Sequence, residues 1–252
     1  MNDIGKSINK IKEIAERCKK TSPKSNYRCL ACKDTGFVIT ENVNLQPTFT
    51  LCTCRKKEML KQQWINAGFN IMSGDKSFAN FNARNMVAKK MKAIANKYVN
   101  EYEIIQFSMN NSIAFLGQPG SGKTHLCMAI ALELIKKGFR PLYFPYREVI
   151  TELKQNAMNS LVYQETISKY KKSNILVIDD LFKNGAADAD VRIIFEILNY
   201  RYLNRLPIII SSEMVSFELL DIDEAIGSRI REMCKDRITD ICGEEYNQRL
   251  IK

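Results

Sequence analysis

Two groups of residues in this 252-residue chain combine residue type and spacing in a way that chemistry requires. Gly117-Gln118-Pro119-Gly120-Ser121-Gly122-Lys123-Thr124 is a complete G-x-x-x-x-G-K-[ST] loop. Its glycines let the main chain curl so that the N–H groups of Gly120 through Thr124 point at a phosphate, aided by the positive end of the helix that follows. Lys123 is expected to reach the β and γ oxygens and the Thr124 hydroxyl to bind magnesium. The single histidine, His125, comes next. It reads as a helix-start or packing residue beside the nucleotide-binding loop rather than as a metal ligand.

The second group is Cys29-Leu30-Ala31-Cys32 with Cys52-Thr53-Cys54. Each pair can grip one metal ion from a turn, and the residues between them have the length of a short hairpin. Four thiolates in that arrangement make a tetrahedral zinc site. A redox pair or an iron–sulfur site is the alternative, but a redox C-x-x-C explains neither the second pair nor the missing βαβ pattern. The other cysteines, Cys18, Cys127, Cys234 and Cys242, are scattered and read as small apolar residues.

Acidic and polar residues complete the first group. Asn174-Ile175-Leu176-Val177-Ile178-Asp179-Asp180 is an aliphatic strand ending in two acids. Asp179 would hold magnesium through water, and Asp180 would orient or deprotonate the attacking water. Leu206 to Ile210 is a further buried strand, and Ser211-Ser212-Glu213 would reach the same sheet edge to sense the γ-phosphate. Arg229, near the start of a helix, could donate into a neighbouring subunit's site, where it would stabilise charge on the transferred phosphoryl group. Without a partner it would be a solvated helix arginine.

These side chains need a scaffold, and the apolar pattern supplies one. Strands are expected at 113–117, 141–145, 174–179 and 207–211, alternating with helices at 126–137, 147–159 and 188–204, and preceded by a helix over 84–108. Such alternation predicts an α/β fold with a parallel sheet between helices. Upstream, Ile4, Ile8, Ile11, Ala15 and Cys18 form a coiled-coil-like seam on a basic helix over 3–20, suited to packing on the cysteine module or to docking a partner protein. The expected organisation is a small helical zinc-binding domain at 1–72, a linker at 73–83 and an ATPase domain at 84–252.

Composition sets bounds. Hydrophobic content of 45% and charged content of 26% are those of an ordinary globular protein. Apolar runs are no longer than strands, and the first residues lack a signal peptide's apolar core, so a cytoplasmic protein with no membrane role is expected. A formal charge of +10 favours anionic partners, nucleic acid first. Zinc on four thiolates would reduce that figure to about +8.

Assembled, these motifs resemble the AAA+ ATPases that load replicative helicases, the DnaC/DnaI type, especially the versions carried by phages of low-GC bacteria. Cys29 to Gly36 followed by Cys52 to Arg55 looks like the zinc-bearing, helicase-binding domain of that group. Gly117 to Leu126, Ile178 to Leu181, Tyr200-Arg201-Tyr202, Ser211 to Glu213 and Ser228-Arg229-Ile230 fall where the family has its Walker A, Walker B, following-helix arginine, sensor 1 and arginine-finger motifs. The resemblance implies a small AAA+ core with no or minimal lid, cofactors ATP, Mg2+ and Zn2+, self-association on ATP, contact with single-stranded DNA, and a hexameric replicative helicase as partner. Two positions depart from the pattern. Glu213 stands where sensor 1 is commonly Asn, so Ser212 is expected to carry the polar contact, and Asp180 replaces a commoner Glu, which implies slow hydrolysis. The alternatives are an IstB-type transposition helper, which generally lacks the cysteine-pair domain, and a non-hydrolysing, ATP-bound helicase adaptor or inhibitor.

Overall fold

The computed structural model describes residues 27–41, 47–69 and 76–247. The helix expected over 3–20, with Cys18, lies outside the described residues. The chain divides into two compact units between Met59 and Leu60.

In the first unit, β1 (Phe37–Glu41) and β2 (Pro47–Leu51) form an antiparallel hairpin in which Phe37 faces Leu51 and Ile39 faces Phe49. Because side chains alternate along a strand, these four share one face of the ribbon, and all four are exposed. The helix α1 (Thr53–Asn66) starts directly after the hairpin.

The second unit is built on α2 (Met86–Ile105), β3 (Ile113–Gly117), α3 (Lys123–Lys136), β4 (Pro141–Pro145), α4 (Tyr146–Gln155), α5 (Ser160–Lys172), β5 (Ile175–Leu181), α6 (Asp188–Leu203), β6 (Ile208–Ser212), α7 (Ser216–Ile222), α8 (Glu224–Cys234) and β7 (Ile238–Ile241). Its five strands lie in the order β4-β5-β6-β3-β7, and all neighbours are parallel. Parallel strands need covered faces, and the unbroken apolar character of Ile113 to Leu116, Ile175 to Ile178 and Ile208 to Ile210 follows from burial on both sides. One face packs Leu116, Phe144, Ile178 and Ile210 against Ile150 of α4, Ile194 of α6 and Ile230 of α8. The other packs Phe115, Val177 and Ile209 against Met91 and Tyr98 of α2 and Leu126 and Ile130 of α3. Each fully buried aliphatic side chain in these layers contributes about 1.5–3 kcal/mol.

The last turn of α1 belongs to this second core. Trp64 and Phe69 are buried with it, and the Tyr143 N–H donates to the Ala67 carbonyl at 2.8 Å. That bond covers part of the edge that β4 would otherwise present for pairing with another chain.

Three features differ from the sequence expectation. The helix expected over 147–159 ends at Gln155, and Asn159, whose side chain accepts from the Val162 N–H, caps a separate α5. Strand β7 was not anticipated: its four residues include Thr239 and Asp240, and pairing with β3 rather than apolar content makes it a strand. Helix α7 is seven residues long, too short to show a period. Among the described residues β7 is followed by one 3-10 turn, Glu244–Tyr246.

Candidate active site and metal centre

The carboxyl ends of parallel strands are where an open α/β sheet collects function. Here β3 delivers the Gly117–Thr124 loop, β5 delivers Asp179 and Asp180, and β6 delivers Ser211 and Ser212. Gly117 has φ 99°, and a β-carbon on it would run into the Ile241 carbonyl. Gly122 has φ 93°, and a β-carbon there would lie 2.7 Å from the Phe81 ring. Both positions therefore require glycine for backbone freedom and for room.

A cavity of about 200 Å³ is lined by Lys76, Pro119, Gly120, Gly122, Lys123, Thr124, His125, Asp180, Lys183 and Glu213. Lys123 is buried, and its ammonium donates to the carbonyls of Gly117 at 2.6 Å and Gln118 at 2.7 Å. Burial pulls its pKa down to about 8 against the opposing pull of Glu213 and Asp180; a bound phosphate would pair with this charge directly. Ser121 is also buried and donates to the Gln118 carbonyl at 2.8 Å, closing the loop. His125 packs edge-on against Phe81 and contacts the Ser77 carbonyl at 2.8 Å, and burial depresses its pKa. These contacts fit a packing residue on the cavity wall.

Asp179 is the hub of the site. Its Oδ1 accepts from the Thr124 hydroxyl at 2.8 Å and from the Ser211 hydroxyl at 2.5 Å, and its Oδ2 accepts from the Tyr143 hydroxyl at 3.0 Å. A hydroxyl and a carboxylate side by side are hard oxygen donors of the kind magnesium takes, so Thr124 and Asp179 fit that ion. Pairing explains the presentation of the two acids. Ile178 pairs with Ile210, but Leu181, not Asp180, pairs with Ser212, so β5 carries one extra residue and bulges where the acids leave it. Asp180 takes φ 58°, and its N–H donates to the Ser211 hydroxyl at 2.9 Å.

The sequence indicated this constellation only in part. Ser212, expected to carry the polar contact, donates its hydroxyl to the Leu181 carbonyl at 2.7 Å and accepts from the Met214 N–H at 3.1 Å; Ser211 is the serine on Asp179. Glu213 does line the cavity. Arg229 is not among the cavity-lining residues: it donates to the Ala225 carbonyl at 2.8 Å and its guanidinium lies 5.3 Å from the ring centres of Phe195 and Tyr202. Arg201 is fully buried and donates to the carbonyls of Tyr170, Lys171, Ser173 and Pro207, tying the end of α5 to the approach to β6. Lys183 and Tyr143 were missed. Lys183 had a signal, a cation three residues after Asp180, whereas Tyr143 had none.

In the first unit, the sulfurs of Cys29, Cys32, Cys52 and Cys54 lie within 4.8 Å of one another. Cys29 and Cys52 are 3.7 Å apart, and Cys32 and Cys54 are 3.4 Å apart. Thiolates at zinc–sulfur distance around a tetrahedral ion are about 3.8 Å apart, so the donor set and its spacing fit zinc. The first knuckle is held by Asp34, which accepts from the N–H groups of Arg28 and Cys29 at 3.1 and 2.8 Å. The Cys52 N–H donates to the Gly36 carbonyl at 2.9 Å and brings the second pair to the first. The Cys54 N–H draws the Cys52 thiol down to about 7, while the Cys32 sulfur pushes Cys54 up to about 12.

Residues 63–242 match the family model described as IstB-like ATP binding protein. The chain is also 39% identical over 241 residues to the phage-like element PBSX protein XkdC of Bacillus subtilis (strain 168), covering 91% of this chain and 88% of that one. The chain belongs to the IstB-like ATP-binding family. Among solved structures, its IstB/DnaC-like AAA+ domain is similar to the DnaC helicase loader, with a TM-score of 0.60 at 24% identity over 68% of this chain and 99% of that one. It is likewise similar to DnaI, with a TM-score of 0.56 at 26% identity over 66% of this chain and 90% of that one. No helix among the described residues is long and apolar enough to cross a membrane.

Proposed function

We propose that this chain is an ATP-dependent loader that delivers a hexameric replicative helicase onto single-stranded DNA. The observation that carries the reading is the joining, in one chain, of a four-cysteine unit to an IstB/DnaC-like domain with an assembled phosphate loop and acid pair. The similarity to the DnaC helicase loader supports it. In this reading the cysteine unit, holding zinc, grips the helicase, and the second unit binds ATP, other copies of itself and single-stranded DNA.

The N–H groups of the loop and Lys123 would bind the phosphates, with Thr124 and Asp179 holding magnesium, which would neutralise charge on the phosphate oxygens. Asp180 would take the proton of the attacking water, with Glu213 beside it, and Arg229 would leave its aromatic stack to reach a neighbouring copy. Hydrolysis would be slow, because Lys183 occupies the Asp180 carboxylate.

A transposition helper of the IstB type is the second reading. It is supported by the family model itself and by 33% identity over 102 residues to a putative insertion sequence ATP-binding protein of Sinorhizobium fredii (strain NBRC 101917 / NGR234). The deciding experiment is helicase-dependent unwinding of a forked substrate whose single strand is coated with single-strand-binding protein. Unwinding that requires this protein and ATP, and is lost with Lys123→Ala, supports the loader. ATP-dependent assembly on duplex DNA with no effect on the helicase supports the second reading.

A further inference from the structure

Tyr143 stands at the end of an aromatic stack that starts on the only tryptophan of the chain. The Trp64 and Phe69 rings are stacked with centres 4.0 Å apart, and Phe69 stacks on Tyr143 at 4.8 Å. The Tyr143 hydroxyl then donates to Asp179 Oδ2 at 3.0 Å. Trp64 and Phe69 are each only 3% exposed, so this is a packed column and not a chance surface contact.

Register explains why the residue is a tyrosine. Asp179 pairs with Pro145, two positions beyond Tyr143 on the same side of β4. Across that diagonal only a long, rigid side chain reaches, and among aromatic residues a hydroxyl at the far end is what a carboxylate can use. The bond from the Tyr143 N–H to Ala67 fixes the same residue from its main chain.

We propose that Tyr143 is a positioning residue for the magnesium carboxylate, and that the Phe69–Trp64 stack carries the magnesium–nucleotide state of Asp179 to the last turn of α1. The inference rests on the assignment of Asp179 to magnesium. Groups that orient a metal ligand without touching the metal are commonly worth 10- to 100-fold in affinity or activity. Here Asp179 keeps its bonds from Thr124 and Ser211 when Tyr143 is changed, which places the effect at the lower end.

The experiment uses the full chain and Tyr143→Phe, which preserves the stack and removes only the hydroxyl. Trp64 emission is followed while magnesium is added to protein saturated with a non-hydrolysable ATP analogue, and analogue affinity is measured separately in EDTA. In the wild type, magnesium should change Trp64 emission with one saturating phase. In Tyr143→Phe, half-saturation should move to about tenfold higher magnesium, the amplitude should collapse, and affinity in EDTA should be unchanged. An identical magnesium titration in the variant overturns the proposal, as does a parallel loss of affinity in EDTA, which would mean that the tyrosine only supports the fold. A wild type that binds the analogue but shows no magnesium phase at Trp64 overturns the coupling alone. A wild type that binds no nucleotide overturns the nucleotide reading itself.

Discussion

Lys183 donates to the Asp180 carboxylate at 2.6 Å and lies 3.4 Å from Glu213. One ammonium thus holds both acids that face the phosphate-loop cavity. The loop that carries it is unusual: Asp180, Phe182 and Asn184 all have positive φ, at 58°, 56° and 69°. Backbone of this kind persists only where its surroundings fix it.

A carboxylate held in an ion pair is a poorer proton acceptor, so Lys183 should restrain hydrolysis. Lys183→Met is expected to raise kcat several-fold while ATP binding weakens modestly, and Asp180→Asn should lower kcat by about 10²- to 10⁴-fold without loss of ATP binding. Steady-state kinetics with both variants decides this. A fall in kcat for Lys183→Met would make Lys183 a phosphate ligand in the transition state instead of a restraint.

Lys123 predicts a pH dependence of binding. Its pKa of about 8 reflects burial, which outweighs the nearby Glu213 and Asp180, and a bound phosphate would raise it. Binding should therefore take up a proton above pH 8, with affinity flat below that value and falling up to about tenfold per unit above it. Calorimetry in two buffers of different ionisation enthalpy measures the uptake directly. Equal heats in both buffers at pH 8.5 would contradict it.

The cysteine cluster predicts coupled loss of metal and structure. Replacing Cys29 and Cys32 by Ser should remove about one zinc per chain and unfold the hairpin unit, leaving ATP binding intact. Since zinc takes thiolates, acidification should release it progressively. Full zinc content in the double variant would mean that other ligands hold it.

Arg201 predicts a purely structural defect. Its guanidinium satisfies four carbonyls at the end of α5 and the approach to β6. Arg201→Met should destabilise the second unit by about 3–5 kcal/mol, since buried acceptors are left unpaired. Denaturant unfolding of the variant checks the figure, and a change below 1 kcal/mol would refute it.

Legibility in the sequence followed how locally each feature is encoded. Gly117 to Thr124 is contiguous, and the strand before it and the helix after it show their own periods, so loop and fold class could be read directly. The two cysteine pairs are short-range knuckles, legible for the same reason. Ser211 rather than Ser212 on Asp179 depends on the one-residue bulge of β5, and Tyr143 on Asp179 depends on β4 lying beside β5. Neither relation exists until the sheet is ordered. Strand β7 is made by its neighbour β3, and the burial of Arg201 depends on where α5 ends, which no local pattern records.

The most direct test is native mass spectrometry of this protein with the replicative helicase of its host, with ATP and with ADP, reading zinc and stoichiometry together. The loader account predicts a discrete complex with the helicase hexamer in ATP, with one zinc on each copy of this chain. An intact hexamer that binds none of this protein in either nucleotide would contradict it.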